Sequence, residues 1–506
     1  MKKYTKLTTA AMLGAMIVGA ASGCGKTDLV MWTGFGAAYT KAVQSMVDTY
    51  ASETGLSIDH QSQGAYDKLQ TNMNNSVATA SYPNIANGYP DHFAGYIKSS
   101  IQIELDDFIK EYDEEHGTNL LDDYYPQYMV ENTSLMYDSN GKGYVMGLPF
   151  NKSTEVMGYN AQFMTYCKSV DNTITKVPET WDEWLVVGPK MLKVMEGLYG
   201  KKLFAKGEVG SDNLTDFEIV DASIEEVAGK VLIMDCSRVT KEKFRLLCWD
   251  SADNMFITIV RQWGGVYTSY TAEDAKKDQH GYAEFGSGEN RAKTKAAMQY
   301  FKDAFDAGIF GLPSNVSDDS YSSTAFKNYQ CMFTICSSGG LSYNISDTMR
   351  FKIAAIPYKD AAHKYVISQG TNLALFDQGD DETKKKAFDA IVAFTTGELQ
   401  GKFAYDTGYY PSSKSATQSA AYQSLITGDT EDLAPTKRAY KESAILNENV
   451  YMADGSGWTK FVDPGFVGSS TIRSEVKSIM SIVLAGEKSL DTILDETLSR
   501  ISKYVR

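Results

Sequence analysis

Apolar positions recur along this chain with two periods. Leu29-Val30-Met31-Trp32 is a short apolar run that reads as a strand. Past Gly34 and Gly36, the residues Val43, Met46, Val47 and Tyr50 fall at i, i+3, i+4 and i+7. That spacing predicts an amphipathic helix, and Gly55 follows as its C-terminal stop. Leu56 and Ile58 then alternate as a strand does, and Gly64-Ala65-Tyr66 turns into a second helix. Strand, helix, strand, helix in this order predicts an α/β layer with a parallel sheet.

The same grammar returns later. Ala297, Met298, Phe301 and Phe305 mark a helix ending near Gly308. Cys331-Met332-Phe333-Thr334-Ile335 reads as a buried strand, and Ser337-Ser338-Gly339-Gly340 as the turn beyond it. Ala387, Phe388, Ile391, Val392 and Phe394 line one face of a further helix. Ile472, Val476, Ile479 and Val483, a break at Gly486, then Leu490, Ile493, Leu494, Leu498 and Ile501 predict a helical C-terminus. The charged stretch from Gly207 to Lys243 reads as elaboration of a lobe.

The N-terminus carries a different signal. Lys2, Lys3 and Lys6 precede an apolar run from Leu7 to Ala21, closed by Ala21-Ser22-Gly23-Cys24. A basic start, a short apolar core and small residues at the cut predict a secretory signal peptide over 1–23. The run is shorter than the ~20 residues a spanning helix needs. The cysteine at the cut is similar to a bacterial lipobox, with Ala21 where Leu is usual, and it predicts a lipid on Cys24.

Composition narrows the function classes. A net charge of -15, from 64 acidic and 49 basic residues, disfavours nucleic acid, which needs concentrated Lys and Arg. Besides Cys24, the cysteines are Cys167, Cys236, Cys248, Cys331 and Cys336; they match no zinc spacing, and the five histidines are scattered. These thiols read as small buried hydrophobes, and no metal or cofactor is expected. The 32 tyrosines suit saccharide recognition, because each joins a flat apolar face to a hydrogen-bonding tip. No Gly-x-Ser-x-Gly elbow, His-Glu-x-x-His helix or phosphate loop is present. An exported glycosidase is the competing class, and it would need two cleft carboxylates.

Four motifs carry a resemblance. They are Gly147-Leu148-Pro149-Phe150-Asn151-Lys152-Ser153-Thr154 running on to Tyr159-Asn160; Pro178-Glu179-Thr180-Trp181-Asp182-Glu183; Cys331 to Leu341; and Thr407-Gly408-Tyr409-Tyr410-Pro411. In this order the chain resembles the extracellular solute-binding proteins of ABC importers, in the large sugar-binding family. Within it the chain looks most like the branch that binds glycerol-3-phosphate and glycerophosphodiesters. The resemblance implies an α/β, two-lobed periplasmic-binding-protein-like fold with a hinge and an interlobe ligand cleft. Lobe 1 is expected at 29–150 and 371–425, lobe 2 at 151–370 and 426–506, with 24–28 the lipid-bearing lead.

Carried over by position, the resemblance implies that Tyr66 and Tyr409 hydrogen-bond ligand, that Ser153 and Ser337 or Ser338 contact it, and that Trp249 stacks on it. It implies a backbone donor from Gly370. Asp91, in Tyr89-Pro90-Asp91, stands near the position of a ligand-binding Glu. Trp458, beside Gly455-Ser456-Gly457, is a further candidate platform. No match is found near Gly465 for the arginine that clamps phosphate, since Arg473 falls on the helix that follows. That favours a neutral mono- to oligosaccharide over a glycerol phosphate, because a phosphate calls for a guanidinium fork. The implied partners are the carbohydrate, ABC permease subunits and the membrane through Cys24, with the chain a monomer on the outer face of the cytoplasmic membrane.

Overall fold

A computed structural model describes residues 27–506. Residues 1–23, expected to be a signal peptide, and Cys24 lie outside the described residues.

Two sheets organise the chain. In the first, the strand order is Ile58–Ser62, Leu29–Thr33, Ile85–Gly88, Asn372–Phe376 and Gln102–Ile103, with Leu148–Pro149 also on Asn372–Phe376. The first three are parallel, and Asn372–Phe376 enters antiparallel from far along the chain. The Ala37–Thr54 helix buries Val43, Met46, Val47 and Tyr50, the stripe that the spacing predicts. Gly55 ends it at φ 77°, its N–H bonded to the Ala51 carbonyl, a left-handed cap that favours glycine.

The second sheet runs Phe310–Gly311, Leu247–Trp249, Phe333–Ser337, Ser153–Asn160, Lys364–Gln369 and Trp458–Phe461, with Phe351–Ala354 also on Ser153–Asn160. Seven of the eight residues of Ser153–Asn160 are buried, because neighbours cover both faces. The Trp181–Glu196 helix opens with a reciprocal cap between Thr180 and Glu183, and Trp181 and Trp184 go to the core. The strand expected at 331–335 is displaced to Phe333–Ser337, and the turn expected after it winds into Ser338–Asn344. The elaboration after Gly200 is a three-stranded antiparallel sheet, Lys201–Lys206, Thr215–Asp221 and Val231–Asp235. The C-terminal helix pattern is broken once more than the apolar stripe suggests, into Ser469–Val476, Ile479–Ala485 and Leu490–Ile501.

Each sheet has its own core. Met31, Leu148, Leu375 and Phe388 belong to one, and Met157, Trp249, Phe301 and Ile335 to another. Tyr422 and Leu425 pack with the second, although they fall within 371–425.

The chain passes between the sheets three times. Residues 150–152 link Leu148–Pro149 to Ser153–Asn160, and residues 370–371 link Lys364–Gln369 to Asn372–Phe376. The third passage follows the Gly397–Thr407 helix, where Tyr410 N–H donates to the Lys152 carbonyl at 2.7 Å. The first two touch: a Cβ on Gly370, which sits at φ 97°, would stand 1.9 Å from the Asn151 oxygen. Asn151 Oδ1 accepts from the Thr371 N–H at 3.1 Å. The three passages form one joint.

Candidate functional site

A cavity of about 450 Å³ lies between the sheets, walled by both. From the first come Tyr66 and Gln70 at the start of the Tyr66–Ser76 helix, Tyr89 to His92 at the start of Pro90–Lys98, and Glu131. From the second come Ser251, Asp253 and Asn254 around the start of Ala252–Gln262, the strand end Ile367 to Gly370, Asp463, and the Ser469–Val476 helix. Loops at strand ends and helix N-termini converge here, where α/β folds place their ligands. The two sides touch at the rim: Gln70 Nε2 donates to Ser470 Oγ at 3.3 Å.

The wall carries unspent polar groups. Tyr267 Oη, Thr268 Oγ1, Ser368 Oγ, Gln369 Oε1, Asp463 Oδ2 and His92 Nδ1 are buried with no hydrogen-bond partner among the described residues. Leaving a buried polar group unpaired costs about 1–3 kcal/mol, so this concentration marks a place built for something polar.

Arg473 is the correction that matters most. Its place on the helix at 469–476 does not remove it from the site, because Gly468 at φ 98° starts that helix against the cavity. Ile472 and Val476 are buried on one face, while Ser469, Arg473 and Lys477, four apart, line the cavity. The polar stripe at i, i+4, i+8 is the signal that could have found it. Its charge is largely answered already. Arg473 Nε donates to Asp253 Oδ2 at 2.8 Å, and Nη2 donates to Asn254 Oδ1. Burial opposes the guanidinium charge, but Asp253, Asp91 and Asp463 outweigh it and hold Arg473 above its ordinary range. Burial likewise works against the Asp253 carboxylate, and Arg473 with the Ser251 hydroxyl reverses this to hold Asp253 below its usual range. Asp463 is itself paired with Arg261 at 2.6 Å.

The residues expected at the site divide. Tyr66, Asp91 and Gly370 line the cavity. Tyr66 Oη accepts from Asn151 Nδ2 at 3.1 Å, and burial raises the Tyr66 phenol well above its ordinary value. Ser153, Ser337, Ser338 and Tyr409 stand behind that wall. Ser337 Oγ donates to Ser153 Oγ at 3.4 Å, and Ser338 Oγ accepts from the Thr154 N–H at 3.2 Å. Tyr409 packs face to face with Phe403, ring centres 5.9 Å apart.

Trp249 and Trp458 are corrections. Trp249 is 0% exposed, stacked on Trp181 at 6.0 Å, with Nε1 donating to Glu155 Oε1 at 2.8 Å. Its strand is covered on both faces, so no ring face meets the cavity. Trp458 lines a separate cavity of about 580 Å³, edge-on to Tyr358 and Tyr451. Glu131, Tyr267 and Asp463 line the cavity but lie in stretches with neither periodicity nor motif, so nothing in the sequence points to them. Five cysteines are buried and unpaired, and no cluster of His, Cys, Asp or Glu among the described residues could hold a metal ion.

Two α/β bodies, a joint crossed three times and a polar cavity between them define a two-lobed binding protein of the periplasmic type. The chain belongs to the bacterial extracellular solute-binding protein family, whose model matches residues 45–427. Solved structures agree in fold. UgpB from Mycobacterium tuberculosis in complex with glycerophosphocholine is 17% identical, with TM-score 0.64, covering 95% of this chain and 98% of its own. An ABC substrate-binding protein from Listeria monocytogenes in complex with cycloalternan is 14% identical, with TM-score 0.64, covering 94% and 98%. The MalE domain from Bdellovibrio bacteriovorus bound to maltotriose is 15% identical, with TM-score 0.60, covering 94% and 98%. No curated protein sequence matches the chain. No helix among the described residues is long and apolar enough to cross a membrane.

Proposed function

We propose that this protein captures a neutral carbohydrate in the interlobe cleft and delivers it to the permease of an ABC importer. One observation carries the reading: the walls of one cavity are built from hydroxyl, amide and carboxylate side chains, several of them with polar atoms that have no partner. A sugar presents many hydroxyls, each able to donate and accept, and matches such an array. The neighbours bound to cycloalternan and maltotriose support the class.

Arg473 favours a second reading, a glycerophosphodiester such as the one bound to UgpB. Its contact with Asp253 argues for the first, because an anion would meet a guanidinium already neutralised and flanked by Asp91 and Asp463. The lobes proposed for this role are 29–150 with 371–407, and 151–370 with the chain beyond the third passage, because Tyr422 and Leu425 pack in the second core. A lipid on Cys24 would keep the monomer at the outer face of the membrane, beside its permease.

A thermal-shift screen and calorimetry on the mature chain test this. The panel is glucose, galactose, maltose and maltotriose beside glycerol-3-phosphate and glycerophosphocholine. A ligand at a hundred times its Kd stabilises the folded state by about 2.7 kcal/mol. A response to a saccharide supports the first reading; a response to the phosphates alone overturns it.

A further inference from the structure

Glu131 belongs at once to the cavity wall and to the joint. It lies in the short turn Val130–Asn132, 4% exposed, and lines the cavity. Its Oε1 accepts from Lys152 Nζ and, at 2.7 Å, from Asn372 Nδ2. Lys152 lies on the first passage between the lobes and is 0% exposed. Its ammonium also donates to Asn372 Oδ1 at 2.7 Å and to the Gly370 carbonyl at 3.4 Å, at the end and on the course of the second passage. The Lys152 carbonyl takes the N–H of Tyr410 from the third. A single carboxylate therefore anchors the lysine on which all three passages converge. No protein donor among the described residues reaches its other oxygen, Oε2.

We propose that Glu131 is a ligand-binding residue that couples cleft occupancy to the joint: Oε2 accepts a hydroxyl of the bound saccharide while Oε1 holds Lys152 and Asn372. The inference rests on the reading of the cleft as a saccharide site. A hydroxyl on a carboxylate makes a charge-assisted bond, stronger than one between neutral groups. The bond fixes the carboxylate plane, and with it the donors that the joint sends to Oε1. A ligand shifts a conformational equilibrium only by binding its states unequally. Contact with Glu131 supplies that inequality, since the carboxylate keeps this orientation only while Lys152 and Asn372 hold their present places.

The test compares the wild-type chain with Glu131→Asp, which keeps the charge and withdraws the oxygens by one methylene. It also uses the double variant Glu131→Gln with Lys152→Met, which removes both buried charges together and leaves neither unpaired. Each is titrated by calorimetry with the tightest binder among glucose, galactose, maltose and maltotriose, and with monodeoxy forms of that sugar. Small-angle scattering follows the radius of gyration with and without it. Both variants are expected to bind at least tenfold more weakly and to compact less at saturation. Wild type should lose about tenfold on removal of one particular hydroxyl, a loss that the variants no longer show. A purely structural residue would weaken all the sugars alike and leave that discrimination intact, which would overturn the inference. Folded variants that bind within twofold of wild type and compact fully would overturn it too. A wild-type chain that answers none of the sugars instead refutes the saccharide reading, and this inference with it.

Discussion

Glu155 is a buried carboxyl whose cost can be read against pH. It sits on the Ser153–Asn160 strand, 1% exposed, with Oε1 accepting from Trp249 Nε1 at 2.8 Å and Oε2 without a partner. Burial pushes its pKa from 4.5 up to about 8, and the Trp249 bond only partly offsets this. The folded state therefore holds the proton more tightly than the unfolded chain does. The stabilising contribution of the neutral form is complete below pH 4.5 and is lost as pH rises through about 8. At about 1.4 kcal/mol for each pH unit, the whole interval corresponds to roughly 5 kcal/mol, and the part up to pH 7 to roughly 3 kcal/mol. Glu155→Gln keeps an acceptor for Trp249 and removes the titration. Urea unfolding of both proteins at pH 5, 7 and 9 should show the variant gaining on wild type at each step, by a few kcal/mol in all. A difference between the two that stays flat from pH 5 to 9 would refute the reasoning.

Other expectations are simpler to state. Trp249→Ala should destabilise by about 3–5 kcal/mol in urea unfolding, as deletion of a core indole does, while calorimetry on the folded fraction gives near wild-type affinity. Gly370→Ala should cost about 1–3 kcal/mol in backbone strain alone, more once the Cβ meets Asn151, and thermal melting would reveal it. Cys24→Ala should move the protein from the membrane to the soluble fraction or leave the precursor uncut. Retention on membranes after cleavage would refute the lipid anchor.

Much of the fold was legible because burial writes a period into the chain. Val43, Met46, Val47 and Tyr50 announce their helix, and Gly55 its end. The Phe150-Asn151-Lys152-Ser153-Thr154 motif, read for its resemblance, turns out to form the first passage between the sheets, where its residues meet two neighbours at once. The site was harder. A strand such as Leu247–Trp249, covered on both faces, gives no sign of which side looks into a cleft, so Trp249 could not be told from a platform. Sequence position alone leaves Arg473 on a helix outside the motif, although a helix shows its polar stripe to whatever faces it. Glu131 had no pattern around it, and its importance comes from Lys152 and Asn372, partners distant in sequence that only folding brings near.

The strand Asn372–Phe376 sits inside the first sheet, between Ile85–Gly88 and Gln102–Ile103. A chain delivered from its N-terminus thus makes most of that sheet early and must wait for this interior strand. Until residue 372 arrives, Ile85–Gly88 has an open edge, and such edges invite pairing with other chains. Meanwhile residues 153–369 supply six of the seven strands of the second sheet, leaving only Trp458–Phe461 outstanding. The middle of the chain can therefore assemble ahead of its beginning. Contacts this distant in sequence make folding slow, so residues 29–149, which carry the rest of the first sheet, are the part that most needs shielding while they wait.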